Sequence, residues 1–150
     1  MLFYQEVPRY GSWLKLLLGG IVALTLIPGF FFLLFSTEAA ITMFAVSAFD
    51  ALLFFIIVPR RFEVYEDKFR IQLGGPVAVN ITLRNIAEAR PGHSGDVWVY
   101  GGIRFGTATT NVVEIIRKKG MNIIITPENP AEFIDRFNQA ITRQAAPNPA

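Results

Sequence analysis

Leu16 to Phe35 is a run of twenty residues without a charge, and no other feature limits the folding of this chain so strongly. As a helix rising about 1.5 Å per residue it spans about 30 Å, the thickness of a bilayer's hydrocarbon core. A second apolar run, Ile41 to Val58, follows almost at once; its eighteen residues hold one charge, Asp50. Ala39 and Ala40 extend it. The connector Ser36-Thr37-Glu38 is short and polar, so helices over 16–35 and 39–58 must lie as antiparallel neighbours. Pro28-Gly29 would end a helix in water, but a bilayer-spanning helix tolerates the kink because neighbouring groups satisfy the freed backbone.

Two rival readings are weaker. A cleaved leader could end at Thr37-Glu38-Ala39, but the apolar stretch is long for a leader core and a second span follows directly. A hairpin buried inside a soluble protein needs more chain around it than the remaining 92 residues supply. The expected anchor is therefore a transmembrane hairpin over 16–58, preceded by a cytoplasmic segment over 1–15. Arg9 and Lys15 precede the first span, Arg60-Arg61 follow the second, and the tip carries Glu38 and no cation. Lys/Arg asymmetry of this kind places both termini in the cytoplasm, with the hairpin in the inner membrane; Tyr10 and Trp13 suit an interfacial belt on that side.

The spans contain few polar groups, and these have meaning by position. Asp50 sits near mid-depth, where translocon scales put the cost of an aspartate at about 2.5–3.5 kcal/mol. Ser47 lies one turn before it on the same face. Thr25 falls at similar depth when counted from the tip. These three are the candidate intramembrane polar contacts: Asp50 bonds to Thr25 or Ser47 across the hairpin, or it meets a polar group on another membrane subunit.

After Val58 the character of the chain changes. Of its 26 charges, 21 lie beyond that point. Phe62 and Val64, then Phe69, Ile71 and Leu73, alternate with polar residues as strands do. Glu66-Asp67 reads as the first turn and Gly74-Gly75-Pro76 as the second. Val77 to Leu83 gives a third strand, Ile86 to Ala89 a fourth, Asp96 to Tyr100 with Ile103 to Phe105 a fifth, Val112 to Arg117 a sixth and Asn122 to Thr126 a seventh. Asn129, Pro130 and Glu132 carry helix-start chemistry. Phe133, Ile134, Phe137, Ala140 and Ile141 then recur at helical spacing to about Arg143, a face suited to covering the sheet. Residues 144–150 read as a disordered tail.

Seven short strands closed by one amphipathic helix is the order of a pleckstrin-homology (PH) fold. The segments Arg61-Phe62-Glu63-Val64-Tyr65-Glu66-Asp67, Val112-Val113-Glu114-Ile115-Ile116-Arg117 and Ile125-Thr126-Pro127-Glu128-Asn129-Pro130-Ala131-Glu132-Phe133 resemble the bacterial PH-like domains found behind two transmembrane helices. The similarity covers about residues 60–143. It implies a membrane-anchored α+β protein whose seven-stranded sheet or partly open barrel is capped by the C-terminal helix. It further implies anchoring or protein interaction rather than catalysis; similar membrane-bound modules occur among assembly factors for photosynthetic complexes.

The chemistry-bearing residues point the same way. The chain has no cysteine and a single histidine, His93, in a Gly/Ser loop, which is a poor start for a metal site. Gly101-Gly102-Ile103-Arg104-Phe105-Gly106 matches no nucleotide fingerprint and does not lead into a helix. Asp67, Glu88, Asp96 and Glu114 are scattered, so no catalytic carboxylate pair is expected, and no cofactor. A net charge of +2 with no basic aromatic stripe argues against nucleic acid. Two binding surfaces remain. Arg60, Arg61, Lys68 and Arg70 follow the hairpin and are candidate contacts for anionic headgroups, which makes a tethered lipid sensor the alternative function. Trp98, Tyr100 and Phe105 stand in the loop from Pro91 to Gly106, where they form a protein-partner contact or seal the barrel's open end.

Overall fold

A computed structural model describes residues 1–98 and 101–145. The chain divides into two units: Ser12–Ile57, and Met1–Gly11 together with Val58–Ala150.

The first unit is a pair of antiparallel helices, α1 (Ser12–Phe32) and α2 (Thr37–Ile57). Both are long and apolar enough to cross a membrane, and only 6% and 11% of their most apolar stretches are buried. α1 starts four residues before the uncharged run, so Lys15 lies in its first turn. It also stops three residues short of the run's end. There the chain tightens into i−3 bonds, Leu34 N–H to Phe31 O at 3.2 Å and Phe35 N–H to Phe32 O at 3.0 Å, which turn it toward α2. Pro28 is accommodated inside α1. Beside it Gly29 is a close-approach residue: a Cβ there would sit 2.8 Å from the Phe44 ring of α2.

The described residues of the second unit form eight strands and a helix. One sheet has the order β1-β2-β3-β4, from β1 (Leu2–Glu6), β2 (Arg61–Tyr65), β3 (Lys68–Gln72) and β4 (Ala78–Thr82). The other has the order β5-β7-β8-β6, from β5 (Ile86–Pro91), β6 (Ile103–Phe105), β7 (Val113–Arg117) and β8 (Ile123–Ile125). All pairings are antiparallel except β6 with β8. α3 (Pro130–Ala145) closes the unit. Its first backbone bond, Phe133 N–H to Asn129 O at 3.0 Å, starts the helix where the capping residues predict.

Alternation sets the core. Phe62 and Val64 of β2, Phe69 and Ile71 of β3, Ile115 of β7, Ile123 and Ile125 of β8, and Phe133 and Phe137 of α3 bury into one cluster shared by both sheets and the helix. Four phenylalanines form its centre. Phe69 meets Phe137 edge-on at 5.1 Å between centroids, and Phe133 stacks on Phe137 at 5.3 Å. Such pairs add about 0.5–1.5 kcal/mol each beyond the burial of their area. Ile141 is only partly buried against this cluster.

Three expectations change. The sheet is not seven-stranded: among the described residues there are eight strands in two sheets of four. The extra strand is β1, so residues 1–11 fold with the C-terminal unit instead of forming a separate lead-in. Leu2 pairs with Tyr65 and Glu6 with Phe62, an arrangement reached across the whole hairpin in sequence. The stretch from Asp96 to Tyr100 is not a strand where it is described. Ser94–Val97 forms a 3₁₀ turn, held by the Asp96 carboxylate accepting the His93 N–H at 2.8 Å; a local side-chain bond of this kind competes with a ladder. Val99, Tyr100 and residues 146–150, the greater part of the expected tail, lie outside the described residues.

Candidate functional site

Within the helical unit, the polar side chains are arranged differently from the expected hydrogen bond to Asp50. Thr25 donates back along its own helix, to Val22 O at 3.0 Å. Ser47 is buried and makes the interhelical bond, to Val22 O at 3.4 Å. Asp50 is half-buried one turn later and makes no hydrogen bond or ion pair with a described residue. The pairing of Ser47 with Val22 sets the register. In antiparallel helices it brings Asp50 to the level of Gly19, well away from Thr25, and that offset is why counting from the tip misplaced the pair.

In the β unit, the segments that flank the hairpin in sequence meet at one pole. Tyr10 donates its hydroxyl to Pro59 O at 2.6 Å. Arg9 N–H bonds to Thr126 O and Gly11 N–H to Thr107 O, both at 2.8 Å. Thr107 and Thr126 are buried. Thr107 donates its hydroxyl to Arg9 O at 2.6 Å, so the 3.0 Å contact between the two threonine oxygens requires Thr126 to be the donor there. Thr126 in turn accepts the Thr107 N–H at 2.9 Å. No local pattern marks these threonines, because Thr107 bonds to a backbone carbonyl 98 positions away and Thr126 to Thr107, 19 positions away. Burial raises the Tyr10 hydroxyl above the ordinary tyrosine range, opposed by the positive charge of Arg60.

The four cations expected near a membrane separate by position. Arg60 and Arg61 are exposed at the hairpin pole. Lys68 is at the other end of β3, where it pairs with Thr82 while Gln72 pairs with Arg61; its ammonium lies 5.4 Å from the Tyr65 ring centre. Arg70 is half-buried, donating to Gln72 Oε1 at 2.7 Å with Glu63 Oε2 at 3.9 Å. They are not one patch: strand length parts Lys68 from Arg61, and Arg70 is held by its neighbours. Among the loop aromatics, Phe105 packs half-buried on the core, whereas Trp98 remains 54% exposed.

An open cleft of about 270 Å³ is lined by Asp67, Lys68, Asn80, Thr82, Arg84 and Gln144. That is below the usual size range of small-molecule pockets. Among the described residues, no three His, Asp or Glu side chains gather to hold a metal ion. No family model, curated protein or solved structure matches this chain. The remaining notable polar groups brace the fold. Glu6, 8% exposed, accepts the hydroxyl proton of Tyr4. Glu114, 7% exposed, holds Arg90 at 2.7 Å and accepts from Asn122 at 3.1 Å. Asn85 and Asn138 bond to backbone groups far along the chain.

Proposed function

We propose that this chain is a non-enzymatic, membrane-anchored PH-like interaction module. The hairpin crosses the inner membrane, both termini stay in the cytoplasm, and the β unit binds a protein partner in assembling or tuning a membrane complex. The observation that carries this reading is the bareness of α1 and α2: two 21-residue apolar helices have only 6% and 11% of their most apolar stretches buried, and leave large side chains such as Leu16, Leu24, Phe30 and Phe49 exposed. A core helix of a soluble protein would be covered, whereas lipid covers a spanning one. The fastening of Arg9, Tyr10 and Gly11 to the same folded unit as Pro59 supports a common side for both termini, independently of the Lys/Arg asymmetry. Two sheets closed by a C-terminal helix over a shared core support the PH-like reading; β1 is an addition to its seven-strand order, and the parallel pairing of the edge strand β6 with β8 departs from an all-antiparallel one.

The absence of cysteine makes the test clean. Thr37→Cys at the hairpin tip and Lys119→Cys in the β unit are labelled in intact cells with a membrane-impermeant maleimide. The expected result is labelling of the first only, with the protein resisting carbonate extraction. Extraction by carbonate, or labelling of Lys119→Cys from outside, overturns the reading.

A further inference from the structure

The β unit has a second pole, and its surface differs from the one at the hairpin. β2 leaves Arg61 and ends at Tyr65; β7 leaves Val113, beside the Arg9–Thr126 contact, and ends at Arg117. At about 3.3 Å per residue, the turns beyond these strands lie on the order of 15 Å from the hairpin's attachment.

Two of those turns are clipped together by one side chain. Asn85, in the 3₁₀ turn Leu83–Asn85, accepts the Lys119 N–H on Oδ1 at 3.1 Å and donates Nδ2–H to Lys119 O at 3.2 Å. Its own carbonyl accepts the Lys118 N–H at 2.8 Å. Gly120, at φ +89°, provides the left-handed step that the β7–β8 turn requires. The clip fixes Arg84 on one turn beside Lys118 and Lys119 on the other. All three are exposed, and none of their side chains has a hydrogen-bond or ion-pair partner among the described residues. Three other cations of the unit pair with carboxylates: Arg70 with Glu63, Arg90 with Glu114, Arg136 with Glu132. The acidic residues nearby include Glu66, paired with the Met1 ammonium at 3.3 Å, Asp67, which lines the cleft shared with Lys68 and Arg84, and Glu88, exposed on β5 opposite Ile116.

We infer that Arg84, Lys118 and Lys119, held by Asn85, form the docking surface for an acidic polypeptide segment. This rests on the reading of the β unit as a protein-interaction module and identifies its partner by charge. An acidic polypeptide is preferred to anionic headgroups because the three cations stand on turns at the strand ends opposite Gly11 and Val58, where the chain leaves the unit; tighter retention by phosphatidylglycerol nanodiscs than by phosphatidylcholine ones, lost in the triple variant, would overturn this choice. A nucleic-acid backbone is not favoured either, since three cations neutralise few phosphates and binding to it scales with the number neutralised.

The test uses the full chain in phosphatidylcholine nanodiscs and a fluorescent ten-residue Glu/Ser peptide, followed by anisotropy. Saturable binding that weakens with salt is expected. Arg84→Glu with Lys118→Glu and Lys119→Glu should weaken it by about tenfold or more, given the modest worth of each exposed pair. Lys119→Glu alone should give a smaller loss in the same direction. Asn85→Ala, which keeps every charge, should weaken it severalfold, and Arg9→Gln with Arg61→Gln should leave it unchanged. The inference is overturned if the wild type does not bind, if the hairpin-pole variant loses as much as the triple variant, if Asn85→Ala binds normally, or if a single-stranded oligonucleotide of equal charge binds more tightly. A chain that stays soluble without lipid and does not enter nanodiscs sinks the membrane reading instead; peptide binding in solution still decides the docking surface.

Discussion

Asn138 on α3 satisfies both outward-facing backbone groups of Ala89 on β5: its Oδ1 accepts the Ala89 N–H at 2.8 Å and its Nδ2 donates to the Ala89 carbonyl at 2.9 Å. β5 is an edge strand, and an open edge invites pairing with another chain. One amide stands in for the missing strand at that residue, and Pro91, at the strand's end, has no N–H to offer. Asn138→Ala leaves two half-buried backbone groups unsatisfied. The expected cost is about 1–3 kcal/mol, read as a lower denaturation midpoint of the full chain in detergent. Asn138→Asp keeps the acceptor and loses the donor, so it should fall between the two.

The clasp at the hairpin pole gives a second expectation. Thr107→Val removes the donor to Arg9 O and the acceptor of the Thr126 hydroxyl, while keeping the side chain's shape. A loss of about 1–3 kcal/mol is expected, with the first eleven residues becoming sensitive to protease before the rest of the β unit. Protease resistance equal to wild type would mean that β1 pairing alone holds that segment.

What could be read from the sequence was what local periodicity carries. Phe62 and Val64, Phe69 and Ile71, and Phe133 with Phe137 announce their buried faces by spacing, and all are buried. β1 could not be read this way. Leu2 to Glu6 does not alternate, it buries a glutamate, and its partner strand lies across some fifty residues of hairpin. The bracing asparagines were illegible for a related reason. Asn85 and Asn138 look like ordinary surface polar residues, and their roles depend on backbone groups 34 and 49 positions away. The polar contacts inside the hairpin were half legible: spacing put Ser47 and Asp50 on one face, but the register that joins Ser47 to Val22 appears only once the helices are packed.

Alkaline pH should destabilise the β unit. The Tyr4 hydroxyl is held above the ordinary tyrosine range, first by burial and then by its hydrogen bond to Glu6 and that carboxylate's charge. Tyr65 is raised as well, first by its bond to Glu63. A raised folded-state value means that the folded protein holds the proton more tightly than the unfolded chain. The stabilisation is therefore complete below the unfolded value of about 10 and lost as pH rises above it. Unfolding midpoints should be level up to about pH 10 and fall beyond it. Tyr4→Phe should reduce that fall and, by leaving Glu6 without its donor, cost about 1–2 kcal/mol at neutral pH.

Phe137 touches both Phe69 and Phe133 and is fully buried. Phe137→Ala is expected to cost about 3–5 kcal/mol, a large share of the stability of a domain this small. The measurement is chemical denaturation of the full chain, followed by near-ultraviolet circular dichroism of the aromatic cluster. Unchanged unfolding would show that α3 contributes little to the core despite its position.

Asp50 is the last group whose removal is informative. It lies on the face that α2 turns toward α1, one turn beyond Ser47, and no described residue satisfies its carboxylate. In the proposed spanning hairpin, an aspartate near mid-depth costs about 2.5–3.5 kcal/mol of insertion. Asp50→Leu should therefore insert at least as well as wild type, measured as the carbonate-resistant fraction. Ser47→Ala should loosen the helix pair by only about 0.6 kcal/mol, the average for an interhelical hydrogen bond in a membrane. The two variants separate a register contact from an assembly contact. If Asp50→Leu inserts fully but loses a membrane protein that co-purifies with wild type, and Asp50→Asn retains it, the carboxylate's position serves a partner helix. If Asp50→Leu inserts poorly, the carboxylate is needed by the hairpin itself, and the cost assigned to it here is wrong.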